Sequence, residues 1–484
     1  MPYLDDDIVD VRVDGWEKPY QLYWGDKVEL LGADARLQRI RFHRSGIPTE
    51  GAVKVDAIFR AEPILKFSMV DVQQGDGMVI ETPAGKRVLV DGGDNVLFAR
   101  HIAARFGGST PDKPEIFDAI VVTHGDADHF DGLNQILKSE NHREKSKRLY
   151  ATTRRVLHNG LIKRPSSVAE PERLGPTVQD DGSVWCGDLH EDLLEVSPAI
   201  MNGPFRNWRK TLQVWNARLG QIEQGQAIRF ERVDQNNTAA FDFLKEDGLE
   251  VEVLGPITRD IAGKPALKGL RAPRKDANIA LGGAGGTGAM SPSHTINGHS
   301  ISFRLRYGNV RFLMTGDLNQ ESMGLLRDAL PDASLQAEIF KTPHHGSHDF
   351  DLAFVKEVAP VVSLISSGDE SANKEHIHPR ATLLGALGRA SRSDVSVIFC
   401  TELAAFFKIK GHMLDPTTTN PTDRFYAFER SNFGIIHIRT DGERVLAFTH
   451  SGKAGLNEAY RFVVTADHEV KFAKAVSKVS APPA

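Results

Sequence analysis

The sequence predicts an α/β fold in which two β-sheets pack face to face between outer helices, an αββα sandwich. Residues 64–139 contain three strand-like runs and then alternate between strand and helix, and residues 250–400 repeat that order. Histidines and aspartates also follow several of the predicted strands at the point where each strand ends. Two β-rich halves that each finish in helices are best closed with the sheets inside and the helices outside.

The elements follow from hydrophobic periodicity and from Gly and Pro punctuation. In the first half the strand-like runs are ILKFSMVDV, GMVIETP, KRVLVDGG and FDAIVVTHG, and the helical stretches are FARHIAARF and DGLNQILKS. In the second half the strand-like runs are LEVEVLGP, HSISFRLRY, NVRFLMTGD, AEIFKTPHH, VVSLISS and SVIFC, and the helical stretches are LNQESMGLLRDAL, DLAFVKEVA and TLLGALGRA. The glycine-rich stretch 257–299 predicts a long mobile loop, and residues 165–250 show only a weak helical pattern.

Composition excludes several classes of protein. The chain has 484 residues, 40% of them hydrophobic and 25% charged, with a formal net charge of −5, so it is not a polycation that would coat nucleic acid. Two cysteines without ligand spacing predict reduced thiols. The acidic start lacks the apolar core of a secretory signal, and no run of 18 apolar residues occurs, so we expect a cytoplasmic protein that does not contact a membrane.

The stretch THGDADHFDG at 123–132 carries the strongest chemical signal. His124, Asp126, Asp128 and His129 lie within one short turn after a predicted buried strand. Imidazole and carboxylate together suit Zn²⁺, Mn²⁺ or Fe²⁺. The alternative is an Asp-rich capping loop, in which Asp131 caps the following helix. Capping needs one carboxylate, whereas this loop has three together with two histidines.

Four ligands from one loop rarely complete two metal sites, so more distant ligands are expected. Candidates at other predicted strand ends are Asp317, the pair His344 and His345, the residues His376 and His378, and the residues Asn297 and His299. Ligands commonly converge at strand ends in α/β proteins.

The motifs VDVQQGDGMVIETPAGKRVLVDGG, THGDADHFDGL, FLMTGDL and KTPHHGSHD, in that order, resemble the metallo-β-lactamase fold. More narrowly, they resemble the soluble hydrolase domain of ComEC-type DNA-uptake proteins. The resemblance implies a metallo-β-lactamase-like αββα domain at 61–410 with inserts at about 143–250 and 257–299. A small β-rich N-terminal module at 1–60 and a β-rich C-terminal extension at 411–484 would flank it.

The resemblance also implies roles for individual residues, and one or two divalent ions, Zn or Mn, as cofactors. The implied metal ligands are His124, Asp126, Asp128, His129, Asp317 as the bridging carboxylate, His345 or its neighbour His344, and His299 as the nearest match to the family's middle histidine. Asp91, in VDGG, would anchor the loop at 123–132, called the metal loop below, without binding metal. Asp126 replaces the family's second histidine, which predicts a first metal site that is weak, manganese-preferring or empty.

We therefore expect a metal-dependent hydrolase, a phosphodiesterase or nuclease that acts on nucleic acid or a nucleotide. The catalytic candidates are Asp128, His344 and His378, and either histidine could protonate the leaving group. The basic runs 143–164 and 257–276 would suit a phosphate backbone. The alternatives are a hydrolase of a small thioester, ester, lactone or lactam, and a non-catalytic metal-binding module that binds a partner protein. The membrane channel of ComEC-type proteins has no counterpart in this chain, so DNA transport does not carry over.

Overall fold

The structure, a computed structural model, describes residues 1–272, 289–330, 335–368, 378–403, 406–414, 424–432, 434–451 and 456–482. The first part of the chain forms short strands. They are β1 (Tyr3–Leu4), β2 (Ile8–Val11), β3 (Tyr20–Tyr23), β4 (Glu29–Ala33), β5 (Leu37–Arg44), β6 (Ile47–Lys54) and β7 (Phe59–Arg60). They bury their own apolar cluster around Val9, Ile40 and Phe42.

The next part supplies six strands of the first large sheet, the strands of two smaller sheets and one strand of the second large sheet. Its strands are β8 (Leu65–Val70), β9 (Gly77–Glu81), β10 (Arg87–Asp91), β11 (Glu115–Phe117), β12 (Ala119–Val121), β13 (Ala151–Thr153), β14 (Arg155–His158), β15 (Thr177–Asp180), β16 (Ser183–Cys186), β17 (Arg229–Arg232), β18 (Leu249–Gly255), β19 (Thr258–Ile261) and β20 (Lys264–Lys268). Its helices are α1 (Leu97–Arg105), α2 (Ala127–Phe130), α3 (Asn134–Ser139) and α4 (Gly203–Ile222).

The remaining elements complete the second half and return to the first sheet. The strands are β21 (Ser302–Tyr307), β22 (Val310–Met314), β23 (Ile339–Lys341), β24 (Val362–Ile365), β25 (Val397–Cys400), β26 (Phe406–Leu414), β27 (Arg424–Asn432), β28 (Ile435–Thr440), β29 (Arg444–His450), β30 (Leu456–Val464), β31 (Val470–Phe472) and β32 (Lys478–Val479). The helices are α5 (Pro292–Gly298), α6 (Gln320–Ala329), α7 (Leu352–Val358) and α8 (Ala381–Ala390).

Two large sheets form the centre of the molecule. One has ten strands in the order β17-β14-β12-β10-β9-β8-β28-β29-β30-β31, and the other has six in the order β18-β21-β22-β23-β24-β25. Strands β10, β12, β14 and β17 run parallel to one another, as do β22, β23, β24 and β25. The C-terminal strands β28–β31 thus extend the same sheet as β8 rather than forming a sheet of their own.

The burial pattern confirms the predicted αββα sandwich. Phe67, Phe303 and Phe312 lie between the two sheets in one continuous apolar core. A second cluster packs α1, α3 and α4 on the outer face of the ten-stranded sheet, and a third packs α6, α7 and α8 on the outer face of the six-stranded sheet. Helices therefore cover both outer faces, with the sheets inside.

The structure differs from the predicted loop at 257–299. The hairpin β19–β20 and helix α5 form within this stretch, while residues 273–288 lie outside the described part of the chain. The sequence did not predict these elements because polar residues and prolines leave the hairpin and the helix without a long apolar periodicity. Helix α4 also forms where only a weak pattern was present, with Asn202 as its cap and with Trp208 and Trp215 buried. Across the described ranges, no helix has both the length and the apolar character needed to cross a membrane.

Candidate metal centre

The parallel strands deliver the candidate ligands to one edge of the sandwich. His124 follows β12, Asp317 follows β22, and His345 follows β23. Because the carboxyl ends of parallel strands meet at one edge, residues far apart in sequence become neighbours there. The cluster is therefore a product of strand topology, and its members are buried.

Three ligand atoms form a small triangle at the centre of the cluster. Asp317 Oδ2 lies 3.2 Å from His129 Nε2 and 3.1 Å from His345 Nε2, and the two imidazole nitrogens are 3.3 Å apart. Ligand atoms bound tetrahedrally at about 2.0–2.2 Å from an ion are roughly 3.3–3.5 Å from one another. The triangle therefore has the size of one face of a metal coordination shell.

Two further side chains extend this face. Asp128 Oδ2 lies 4.0 Å from His345 Nε2, and Asp128, His129 and His345 each offer an atom within 4.8 Å of the others. His124, His129 and Asp317 meet the same condition. The buried Nε2 of His124 and Oδ1 of Asp317 have no hydrogen-bond partner in the structure. Unpartnered buried polar atoms are costly, and a cation between them would remove that cost.

The histidines of the cluster have pKa values shifted in opposite directions. Burial alone would lower the pKa of His129, but Asp317 and Asp91 outweigh it and raise that pKa well above its ordinary value of 6.5. Burial would also lower the pKa of His345, but the charge of Asp317 outweighs it, so the pKa of His345 is raised as well. Burial and the nearby His129 hold the pKa of His124 well below 6.5.

The carboxylates of the cluster are held ionised. Burial raises the pKa of Asp317, but His345 and His129 overcome this and lower it well below its ordinary value of 3.8. The same two histidines, again against burial, lower the pKa of Asp128. At neutral pH the cluster therefore presents two anionic oxygen ligands.

Asp91 holds the metal loop from behind. Its carboxylate accepts hydrogen bonds from the Thr123 amide at 2.8 Å and the Thr123 hydroxyl at 2.6 Å, and it lies 2.9 Å from His129 Nδ1. A carboxylate on Nδ1 fixes the ring so that Nε2 faces the cluster. The next residue, Gly92, also holds this loop, since its backbone amide donates a hydrogen bond to the His129 carbonyl at 2.6 Å.

A buried ion pair beneath the cluster was not found from the sequence. Lys341 and Asp76 are fully buried and form an ion pair with each other. The Lys341 ammonium also donates to the Gly316 carbonyl at 2.7 Å and lies 3.7 Å from Asp317 Oδ1. The available signal was a lysine at the end of the apolar run AEIFK, where a charged side chain in a buried strand requires a partner.

Gly75 brings the segment of Asp76 against the metal loop. Its φ is +91°, and a Cβ added at this position would lie 1.5 Å from the carbonyl oxygen of Asp128. Only glycine allows that approach with that backbone conformation. The two segments can therefore lie this close together only because residue 75 is a glycine.

Asp126 is not part of the triangle. Its Oδ1 lies 2.5 Å from the Lys163 ammonium, and its Oδ2 accepts a hydrogen bond at 3.1 Å from the Asn297 amide when that amide is oriented to satisfy its neighbours. His299 also points elsewhere, because its Nε2 lies 2.7 Å from the Lys268 carbonyl, and burial lowers its pKa to about 4. Neither residue belongs to a candidate ligand group of the described chain, in contrast with the sequence expectation.

His344 and His378 lie beside the cluster. His344 and His345 both have positive φ, 48° and 54°, a conformation uncommon outside glycine that marks functional sites when it persists. This turn aims the two neighbouring rings in different directions, with ring centres 6.1 Å apart. The His344 ring also lies 6.0 Å from that of His378. The candidate His376 lies outside the described residues.

The basic run 143–164 is largely neutralised within the molecule. Arg154 pairs with Asp118 and Glu223, and Arg164 pairs with Asp188 at 2.7 Å. These pairs interrupt the continuous row of unpaired cations that the sequence suggested for a phosphate backbone. Lys163 is the member that reaches the metal loop.

Comparison with known proteins assigns this part of the chain to a class. Residues 70–189 match the sequence model of the metallo-beta-lactamase superfamily, so the chain contains a domain of that superfamily. No curated protein matches the chain.

Two solved structures can be set beside it. A protein described as a Zn-dependent hydrolase of the metallo-beta-lactamase superfamily, from Thermotoga maritima, is 9% identical over 69% of this chain and 98% of its own, with a TM-score of 0.24. The long form of RNase Z from yeast is 8% identical over 63% of this chain and 37% of its own, with a TM-score of 0.25.

Proposed function

We propose that this chain is a metal-dependent hydrolase and that its substrate is a phosphodiester of a nucleic acid or nucleotide. The observation that carries the proposal is the convergence of His124, Asp128, His129, Asp317 and His345 at one edge of the sandwich, where carboxylate oxygens and imidazole nitrogens face one another and the buried Nε2 of His124 has no hydrogen-bond partner. These five side chains would hold the ion. With a divalent cation held there, the site would have a Lewis acid that lowers the pKa of water.

The chain's own residues supply the rest of the reaction. Asp91 orients His129 from behind, and the Ser366 carbonyl, 3.1 Å from His345 Nδ1, does the same for His345. Lys341 offsets the negative charge that Asp76 and Asp317 would otherwise accumulate. His344 stands next to the cluster with its pKa lowered, first by burial and then by the charge of His345. A neutral imidazole is a poor acid but a suitable base, so His344 is placed to accept a proton from water or to relay one to a leaving group.

The phosphodiester assignment is supported by hydrogen-bonding side chains around the cluster. Lys163 and the imidazoles of His294, His344 and His378 can hydrogen-bond to phosphate oxygens, and a neutral ester or lactam would not require them. His294 lies 3.6 Å from Asp349, which can hold its ring in place.

The test is a panel of single-stranded DNA, RNA, a cyclic nucleotide, a thioester and a lactone, with protein stripped of metal and then reloaded with Zn²⁺ or Mn²⁺. We expect metal-dependent cleavage of a phosphodiester that Asp317→Ala abolishes. Cleavage of the thioester or lactone alone would replace the substrate class. Metal binding without any turnover would indicate a non-catalytic module.

A further inference from the structure

Asp126, nominated from the sequence as a metal ligand, is engaged by an internal ion pair. By the sequence resemblance it stands where the family has its second histidine, two residues from His124 and two from Asp128. Its carboxylate contacts the Lys163 ammonium at 2.5 Å and the Asn297 amide at 3.1 Å. Both oxygens are therefore satisfied by protein donors, and neither joins a ligand group of the described residues.

A capping role does not explain Asp126. It stands at the N-cap of α2, where an aspartate side chain ordinarily accepts a hydrogen bond from the helix. No such bond forms, because the carboxylate faces Lys163 instead. Asp126 therefore pairs with Lys163 and does not cap helix α2.

Lys163 is held in place by the fold. Strands β12 and β14 are parallel neighbours, with Val121 beside Leu157, so the segments that leave their carboxyl ends emerge together. Leu161 and Ile162, just before the lysine, are buried, and the Lys163 carbonyl accepts a hydrogen bond from the Asn202 amide at 3.0 Å. The ammonium is therefore preorganised, while 23% of its side chain stays accessible to solvent.

We propose that this chain holds one divalent cation rather than two, and that Lys163 supplies the second positive charge to an anionic oxygen of the substrate. A second cation bound by His124 and Asp126 would compete with the ammonium for the same carboxylate, at a separation where like charges repel strongly. An ammonium has three donors and Asp126 takes one of them, so a phosphate oxygen can use another. The inference rests on the proposed function, because it assumes that the triangle around Asp317 binds the one cation.

The first experiment counts the metal. The full chain is saturated with Zn²⁺ or Mn²⁺, freed of excess ion, and analysed for metal per chain. We expect one ion in the wild type. Lys163→Met should also keep one ion after the excess is removed, because His124 and the freed Asp126 alone are too few ligands to retain a second ion tightly. Two tightly bound ions in the wild type would overturn the inference, whereas no bound ion would overturn the proposed function itself.

The second experiment tests the role of the charge by titrating inorganic phosphate into the metal-loaded chain. Lys163→Met should weaken phosphate binding about tenfold, the effect of losing one charge-assisted hydrogen bond, and Lys163→Arg should retain most of it. The matched control is Arg164→Met, which removes the neighbouring cation that pairs with Asp188 and not with Asp126 of the metal loop, and it should leave phosphate binding unchanged. Equal losses in Lys163→Met and Arg164→Met, or no loss in either, would refute the assignment. Retained metal content and retained Lys163→Arg binding show that the variants are folded.

Discussion

Metal binding to this cluster should release protons from its histidines. In the metal-free chain Asp317 raises the pKa of both His129 and His345 above 6.5. Both rings must give up a proton from Nε2 to bind a cation. The two nitrogens are 3.3 Å apart, so two full positive charges repel each other and the two histidines titrate as a coupled pair.

Metal affinity should fall as the pH falls. Below the raised pKa values protons compete with the metal, so each unit of falling pH should weaken binding about 10- to 100-fold, or about 1.4–2.7 kcal/mol. Above those values the affinity should level off. In the metal-free chain the same protonation stabilises the fold: the contribution is complete below 6.5 and is lost as pH rises through the raised pKa values.

Isothermal titration calorimetry in buffers of different ionisation enthalpy measures the released protons. His124→Ala is the matched control, because the pKa of that histidine is already depressed and its loss should weaken binding without changing the proton count. A proton count of zero near pH 7 (roughly the midpoint of histidine titration), or an affinity independent of pH below it, would refute the electrostatic reasoning.

Three further changes test the supports of the site. Asp91→Asn removes the anionic partner of His129 and should lower metal affinity about 10- to 100-fold by competition against a chromogenic chelator, and unchanged affinity would contradict the orienting role. Lys341→Met should cost about 3–5 kcal/mol in denaturant unfolding because Asp76 is left buried and unpaired, and adding Asp76→Asn should recover part of that loss; equal instability of single and double variants would count against the pair. Gly75→Ala should displace the metal loop and reduce the metal bound per chain, whereas wild-type metal content would show that the loop can yield.

Much of the architecture was predictable from the sequence because apolar periodicity records which face of an element is buried. The apolar run AIVV at 119–122 contains β12, an interior strand of the ten-stranded sheet, and FARHIAARF gives helix α1 within one residue. The hairpin β19–β20 was missed because TRDI and KPALK expose polar residues on a small four-stranded sheet. Short elements with little buried area leave little trace in hydrophobic pattern.

The site was predictable only as far as residue type reveals chemistry. His129, Asp317 and His345 have the side chains of metal ligands, so sequence could nominate them. The pairing of Asp126 with Lys163 depends on the parallel neighbours β12 and β14, and a single sequence does not specify which strands pair. For the same reason His299 was nominated for its imidazole, although its ring faces a carbonyl of β20.

The pairing of β8 with β28 constrains how the polypeptide can be made. Ser68 lies opposite His437 in this antiparallel pair, so one edge of β8 stays open until nearly the whole chain has left the ribosome. An unpaired strand edge is a template for association with other chains. Pairings so distant in sequence also form slowly. Nascent or truncated chains that end before β28 should therefore depend on chaperones and collect as aggregates, however complete their metal loop is.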